Sequence, residues 1–216
     1  MMELEPLVFI VDDDLSYRSS LERLVRSAGL RVETFASADA FLQRPPHDGP
    51  CCLVLDVRMP GMSGLDLQEE LTTGEYAIPI IFITAHGDVT TSVRAMKMGA
   101  MDFLPKPVHA QDLLESIQQA IDRDVHARAQ RAIIRRIQQR LQSLTPRQRE
   151  VLSLVVAGLL NKQIAAVLGM SERTVKMHRA HIMEKMQAHS VAQLVSQADR
   201  IGLIPHESLS SLGSVQ

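Results

Sequence analysis

LVFIVDD (residues 7–13) is an apolar run of strand length that ends in two carboxylates, and three later segments repeat this arrangement. They are CCLVLD (51–56), which ends in Asp56, IPIIFIT (78–84), which ends in Thr84, and DFLPK (102–106), which ends in Lys106. Continuous apolar runs separated by helix-like stretches are typical of strands that are buried on both faces of a parallel sheet. The first half of the chain is therefore predicted to have an α/β fold.

Strand-like and helix-like segments alternate over about the first 122 residues. Strands are predicted near 7–11, 31–35, 51–55, 79–83 and 101–104. Helices are predicted near 15–28, 37–43, 64–73, 88–98 and 109–122. Five such β/α units predict a five-stranded, doubly wound parallel sheet. Cys51 and Cys52 fall inside the third strand, which predicts buried packing residues rather than a disulfide or zinc ligands.

The polar residues at the strand ends are expected to meet, because ligands of parallel sheets bind beyond the carboxyl ends of the strands. Neighbouring strands lie only about 4.8 Å apart. Asp12, Asp13 and Asp56 offer oxygen atoms that suit a divalent cation. Thr84 and Lys106 offer a hydroxyl and a positive charge that suit a phosphoryl group. The sequence thus predicts a switch that handles phosphate.

Charge divides the 216-residue chain into an acidic and a basic part. Residues 1–123 carry 10 Lys and Arg against 19 Asp and Glu, a net charge of −9, and residues 124–216 carry 13 against 6, a net charge of +7. This asymmetry indicates two domains with different partners, the basic one suited to nucleic acid. No apolar run reaches the ~20 residues of a membrane span, and the acidic N-terminus does not resemble a signal peptide. We therefore expect a cytoplasmic protein with no membrane partner.

The stretch from Gln111 to Leu144 contains no Pro or Gly and has apolar residues at helical spacing near both ends. Two interpretations stay open for the linker, residues 123–143. One is a last helix followed by a partly flexible connection. The other is a single long helix whose C-terminal half packs as a dimer or domain interface.

A second domain is predicted over residues 144–205, and residues 206–216 are predicted to form a flexible tail. Thr145-Pro146-Arg147-Gln148 has the features of a helix start, with a capping Thr, Pro at the first helical position and Gln three residues after the cap. Helices are predicted near 146–157, 161–168, 172–186 and 191–201.

Four motifs of the first half resemble, in the expected order, the receiver domain of bacterial two-component response regulators, which has a flavodoxin-like fold. They are VDDD (11–14), LDVRMPGMSG (55–64), TAH (84–86) and FLPKP (103–107). The resemblance covers about residues 5–122 and sets the receiver bounds at 1–122.

The resemblance assigns roles to the strand-end residues. It implies that Asp56 accepts a phosphoryl group from a phosphohistidine. It implies that Mg²⁺ (or Mn²⁺) is held by Asp12, Asp13, Asp56 and the backbone carbonyl of Arg58. Lys106 and Thr84 are implied to contact the phosphoryl group, Phe103 is the implied aromatic switch residue, and the Lys106–Pro107 bond is expected to be cis.

Arg58 argues against a competing interpretation, an aspartyl-phosphate phosphatase. Such enzymes commonly place a second Asp two residues after the nucleophile, where this chain has Arg58. The protein is thus predicted not to be a turnover enzyme but to catalyse only its own phosphoryl transfer and slow autodephosphorylation.

Residues 144–186 resemble the LuxR-type helix-turn-helix of NarL/FixJ response regulators, most closely the FixJ subgroup. In this motif Ile164, Ala165, Val167 and Leu168 are expected to pack the first helix, and Val175, Ile182 and Met186 the second. Candidate DNA contacts in and beside the second helix are Thr174, Lys176, Met177, Arg179, Ala180, Arg173, Asn161 and Lys162. Lys176, Met177 and Ala180 fall where relatives contact bases, whereas Asn161, Lys162, Arg173 and Arg179 suit phosphates.

Together these features predict a DNA-binding transcriptional regulator that a sensor histidine kinase phosphorylates on Asp56. Phosphorylation is expected to favour a homodimer through helix 4 and strand 5, with Arg94, Lys97 and Asp102 as candidate contacts. The expected partners are the kinase, double-stranded promoter DNA and RNA polymerase. Alternatives are a phosphorylation-independent regulator and a receiver that controls an RNA-binding output.

Overall fold

The computed structural model describes residues 5–72, 78–85 and 89–203. The predicted flexible tail, 206–216, lies outside these residues. Within the described part of the chain, no helix combines the length and the apolar character that crossing a membrane requires. The chain divides into two compact units, Met1–Arg128 and Ala129–Gln216.

The first unit is built on a five-stranded, fully parallel sheet, which confirms the predicted fold class. Its strands are β1 (Leu7–Val11), β2 (Arg31–Phe35), β3 (Cys51–Asp56), β4 (Ile80–Thr84) and β5 (Asp102–Pro105). They lie in the order β2-β1-β3-β4-β5. This order places the ends of β1, β3 and β4 side by side in the middle of the sheet.

Helices cover both faces of this sheet, because alternate residues of a strand point to opposite sides. They are α1 (Leu15–Ser27), α2 (Ala38–Leu42), α3 (Gly64–Thr72), α4 (Val89–Lys97) and the first part of α5 (Ala110–Gln142). Phe9, Leu53 and Phe82 belong to the core on one face. Their neighbours Ile10 and Val54 belong to the core on the other face, with Ile117 of α5.

Helix α5 runs for 33 residues without interruption. A single continuous helix was one of the two interpretations of residues 123–143, and the structure has it. Residues of this stretch contribute to both units. Asp124 is buried in the first unit, and Ile137 belongs to the core of the second.

The second unit is helical, with the end of α5 followed by α6 (Pro146–Val156), α7 (Asn161–Leu168), α8 (Glu172–Met186) and α9 (Val191–Arg200). Thr145 and Gln148 form the predicted capping box at the start of α6. Gly169 ends α7 in the left-handed conformation at φ 63°, and Ser171 caps α8 by accepting a hydrogen bond from the backbone of Thr174. Between them these residues fix the turn between α7 and α8.

The predicted cores of α7 and α8 are confirmed except at Val167. Ile164, Val175 and Ile182 are buried, as expected, but Val167 is 63% exposed. An α-helix turns about 100° per residue, so Val167 lies about 110° from the middle of the stripe that Ile164, Ala165 and Leu168 form. The prediction for Val167 was wrong because the short helix α7 buries only that narrow stripe.

Candidate functional site

The ends of β1 and β3 bring three carboxylates together. Val11 pairs with Leu55 in the parallel register, so Asp12 and Asp56 follow at the same level of the sheet. Asp12, Asp13 and Asp56 each offer a carboxylate oxygen, and these oxygens lie within 4.8 Å of one another. Asp12 and Asp56 are buried, whereas Asp13 is exposed to solvent. The cluster is thus accessible from one side.

Lys106 lies against the two buried carboxylates. Its Nζ is 2.7 Å from Asp12 Oδ2 and 2.7 Å from Asp56 Oδ2. The backbone N–H of Lys106 donates to the carbonyl of Thr84 at 2.7 Å, which holds the lysine at the ends of β4 and β5. The predicted cis bond between Lys106 and Pro107 is present.

Burial dominates the electrostatics of Asp12. It raises the pKa of Asp12 above the ordinary 3.8, although hydrogen bonds and charge from Lys106 act in the opposite direction. Burial lowers the pKa of Lys106, but the hydrogen bonds that its ammonium donates to Asp12 and Asp56, together with the charges of these carboxylates, outweigh burial, and the pKa of Lys106 is raised. The lysine is therefore charged at neutral pH, and two buried acids share it.

Backbone groups orient the carboxylates. Asp12 Oδ1 accepts a hydrogen bond of 2.9 Å from the backbone of Asp14. Asp56 Oδ1 accepts one of 3.3 Å from the backbone of Arg58, whose side chain is exposed. Thr84 is buried at the end of β4. Phe103 is partly buried, with its ring centroid 6.1 Å from that of Phe82.

Three further residues shape the site and were not assigned a role from the sequence. Arg18 donates to the backbone carbonyl of Asp12. The ring of Tyr17 lies 4.5 Å from Lys106 Nζ. A Cβ on Gly64 would come within 2.2 Å of the carbonyl oxygen of Asp56. Only Gly64 was inside a recognised motif, whereas Tyr17 and Arg18 follow the acidic pair on α1 without a signal of their own.

The candidate dimer residues lie on α4 and β5. Arg94 and Lys97 are exposed, and Arg94 Nη2 is 3.8 Å from Glu69 Oε2. Asp102 differs, because one carboxylate oxygen accepts a hydrogen bond from the backbone of Phe103 at 2.8 Å and the other accepts one from the Ser116 hydroxyl. Its carboxylate is therefore engaged within its own unit.

The candidate DNA contacts lie mostly on one side of α8, opposite its buried residues. Lys176, Met177 and Ala180 are exposed, and so are Arg173 and Lys162. Arg179 is half-buried and donates to Asn161 Oδ1 at 3.0 Å, which links α8 to the first residue of α7. The Thr174 hydroxyl is 2.9 Å from that of Ser171.

Comparison with known proteins gives the same division of the chain. Residues 8–118 match the response regulator receiver domain, and residues 142–198 match the luxR family of bacterial regulatory proteins. Nodulation protein W of Bradyrhizobium diazoefficiens is 48% identical over 197 residues, which cover 91% of this chain and 87% of that protein. Transcriptional regulatory protein FixJ of Rhizobium meliloti is 46% identical over 191 residues, covering 88% and 94%.

A solved structure is similar over nearly the same range. The response regulator StyR matches with 50% identity and a TM-score of 0.81, covering 91% of this chain and all of that one.

The sheet, its strand-end carboxylates and the helix-turn-helix define a receiver joined to a DNA-binding domain, that is, a transcription regulator with a kinase as its input partner. The chain belongs to the response regulator family, in the group with a LuxR-type DNA-binding domain.

Proposed function

We propose that a sensor histidine kinase phosphorylates this response regulator on Asp56, and that Mg²⁺-dependent phosphorylation shifts it to a dimer that binds promoter DNA. The observation that carries the proposal is the meeting of Asp12, Asp13 and Asp56 beside Lys106. Carboxylates repel one another, and a cluster of this kind suits a cation and an incoming phosphoryl group.

In the proposed reaction, a carboxylate oxygen of Asp56 attacks the phosphorus of a phosphohistidine. A P–O bond forms while the P–N bond breaks, and the histidine nitrogen leaves with the electron pair. The backbone N–H of Arg58 orients the attacking carboxylate. Lys106, already 2.7 Å from Asp56 Oδ2, supplies a fixed positive charge for the phosphoryl oxygens.

Asp12, Asp13, Asp56 and the backbone carbonyl of Arg58 would hold Mg²⁺ (or Mn²⁺). The donor set fits a hard cation, because all of its atoms are oxygens and three of them come from carboxylates within 4.8 Å of one another. When bound, the cation screens the negative charge of the phosphoryl group.

Thr84 and Phe103 are proposed to transmit the change. Thr84 stands at the end of β4, next to β3 and its Asp56, and its hydroxyl is suited to hydrogen-bond a phosphoryl oxygen. Phe103, whose ring is only partly buried, would turn further inward. The resulting surface of α4 and β5 would dimerise, with Arg94 and Lys97 as the exposed polar contacts and Asp102 as a third candidate.

The output is proposed to be promoter recognition by α8. Lys176 and Met177 would read base edges, with Thr174 and Ala180 beside them, and Arg173, Arg179, Asn161 and Lys162 would contact phosphates. A dimer would place two such helices about 34 Å apart, one turn of DNA. The bound protein would act on RNA polymerase in the cytoplasm, where the DNA is.

Labelling with acetyl phosphate tests the input. We expect wild type to be labelled in Mg²⁺ and not in EDTA, and Asp56→Asn not to be labelled. Phosphorylated wild type should sediment as a dimer and bind its promoter fragment more tightly. If Asp56→Asn dimerises and binds DNA like phosphorylated wild type, the regulator is phosphorylation-independent and the proposed mechanism is wrong.

A further inference from the structure

The ammonium group of Lys106 lies against an aromatic ring as well as against two carboxylates. Its Nζ donates to Asp12 Oδ2 and to Asp56 Oδ2, each at 2.7 Å. The centroid of the Tyr17 ring lies 4.5 Å from the same Nζ. The Lys106 side chain is only 14% exposed, and a cation is attracted to an aromatic face more strongly where water is excluded. The ring therefore helps to hold the ammonium group in place.

The position of the Tyr17 ring is itself fixed. Asp14 caps α1, and its carboxylate accepts hydrogen bonds from the backbone N–H groups of Ser16 and Tyr17 at 2.8 and 3.1 Å. The ring packs against the core on the α5 face of the sheet. Its hydroxyl accepts a long hydrogen bond, 3.4 Å, from the backbone N–H of Val108, two residues after Lys106. Tyr17 thus connects α1 to the segment that carries the lysine.

The two carboxylate partners of Lys106 are both engaged elsewhere in the proposed reaction. Asp56 becomes the acceptor of the phosphoryl group, and Asp12 becomes a ligand of the cation. A hard cation takes oxygen ligands rather than the face of a ring, and phosphoryl transfer to Asp56 leaves the ring of Tyr17 unchanged. Of these three partners, the ring is the one that the loaded site does not claim.

We propose that Tyr17 is a positioning residue for phosphoryl transfer, which holds Lys106 beside Asp56 while the cation and the phosphoryl group occupy the carboxylates. This inference rests on the proposed function. The ring acts through Lys106 and not by contact with the phosphoryl group. Without the ring, the ammonium group would be held less firmly, and the transition state would lose part of the fixed positive charge that stabilises it.

Loss of the ring should have opposite effects on cation binding and on phosphorylation. Lys106 and a divalent cation carry charge of the same sign and compete for Asp12 and Asp56. A lysine that is no longer held can move away, so Mg²⁺ should bind equally or more tightly. The same movement takes positive charge away from the phosphoryl oxygens, so transfer should be slower. General damage to the site would instead weaken both.

Tyr17→Leu in the full-length protein tests the proposal, because it removes the aromatic face but keeps an apolar side chain. Tyr17→Phe keeps the face and removes only the hydroxyl. Leu24→Ala controls for lost packing, since Leu24 also lies on α1 and packs against the same core. At saturating Mg²⁺, Tyr17→Leu should slow acetyl-phosphate labelling of Asp56 about three- to tenfold, and both controls should stay within about twofold of wild type.

Isothermal titration calorimetry with Mg²⁺ gives the second readout, in which Tyr17→Leu should bind at least as tightly as wild type. Weaker Mg²⁺ binding together with slower labelling would show a structural defect and overturn the proposal. Labelling of Tyr17→Leu at the wild-type rate, or equal slowing in Leu24→Ala, would do the same. Equal slowing in Tyr17→Phe would assign the role to the hydroxyl and not to the ring, which also contradicts it.

A double-mutant cycle separates an effect through Lys106 from any other effect of Tyr17. In the Lys106→Gln background, Tyr17→Leu should change the labelling rate less than about twofold, because no ammonium group is left for the ring to hold. An undiminished effect there refutes the proposal. If wild type itself is not labelled on Asp56 in Mg²⁺, the proposed function fails. If wild type is labelled and Tyr17→Leu matches its rate, only the role of Tyr17 fails.

Discussion

The carboxylate of Asp124 accepts a hydrogen bond of 2.9 Å from the backbone N–H of Cys51, so that α5 is tied to the first residue of β3. Arg128, one turn further along α5, donates to the same carboxylate at 2.6 Å and to the backbone carbonyl of Asp48 at 2.8 Å. Asp124 is 2% exposed. A stretch predicted to begin the linker is therefore an integral part of the receiver.

Replacing Asp124 by Ala should destabilise the receiver by about 1–3 kcal/mol, because a buried N–H group loses its acceptor and Arg128 loses its counter-charge. Urea unfolding measures this loss. Asp122→Ala, on the same helix but exposed, is the matched control and should cost less than about 0.5 kcal/mol. Equal losses in the two variants would show that the tie to Cys51 contributes nothing.

Asp12 should make the stability of the protein depend on pH and on Mg²⁺. Its pKa is raised in the folded state, so its stabilising contribution is complete below the unfolded pKa, near 3.8, and is lost as pH rises through the folded pKa. Without Mg²⁺, wild type should therefore lose stability relative to Asp12→Asn as pH rises from about 4 toward 7.

Added Mg²⁺ should raise the thermal midpoint of wild type at neutral pH and have little effect on Asp12→Asn. Asp39→Asn, an exposed carboxylate outside the cluster, should respond to Mg²⁺ like wild type. If Mg²⁺ raises the thermal midpoint of Asp12→Asn as much as that of wild type, Asp12 is not a ligand of the cation.

Gly64→Ala should impair both stability and phosphorylation. The added Cβ would lie 2.2 Å from the carbonyl oxygen of Asp56, so the backbone beside the acceptor has to move. Overpacking of this kind costs about 1–3 kcal/mol. Gly29→Ala is the control for the loss of a glycine. Its φ of +79° strains an alanine there, but the added Cβ would meet no atom within 4 Å. Only Gly64→Ala should slow acetyl-phosphate labelling.

The two cysteines should be inert to thiol reagents in the native protein. Burial, the largest cause, raises the pKa of Cys51 to about 11, and it also raises the pKa of Cys52. Iodoacetamide should modify them at pH 8 only after unfolding. The pKa of Cys51 is higher in the folded state, so its contribution to stability is complete below its ordinary value of 9.0 and is lost as pH rises toward 11. Rapid modification of either cysteine in the native protein at pH 8 would contradict the burial of these thiols.

Leu160→Ser should stabilise the helical unit. Leu160 occupies the N-cap position of α7, where it makes no side-chain cap, and it is 70% exposed. A serine hydroxyl there can accept a hydrogen bond from the first turn, worth about 0.5–2 kcal/mol. Thermal unfolding should show a higher midpoint for Leu160→Ser than for Leu160→Ala. A midpoint no higher than that of the Ala variant would mean that α7 is already adequately capped.

Structural features that depend on residues close together in the chain were predictable from the sequence. The buried strands, the capping box at Thr145 and the left-handed Gly169 depend on a few neighbouring residues, and each is present. The meeting of Asp12 with Lys106 was predictable because a parallel sheet aligns its strand ends.

Features set by distant contacts were not predictable in this way. The role of Asp124 has no signal in the sequence, because its partner Cys51 is 73 residues earlier in the chain. Val167 looked like a core residue, because its exposure depends on how narrow the packed face of α7 is. Asp102 was predicted only as a candidate dimer contact, and the hydrogen bond that its carboxylate accepts from Ser116 of α5 had no signal in the sequence.

Strand β3 has no freedom in length. Its first residue, Cys51, is held by Asp124, and its last, Asp56, is held beside Asp12 by the pairing with β1. Inserting or deleting one residue between them would turn the following side chains to the opposite face of the sheet. The Asp56 carboxylate would then point away from Asp12. Length variation among functional descendants of this protein should therefore fall in connections such as 43–50 and never inside β3.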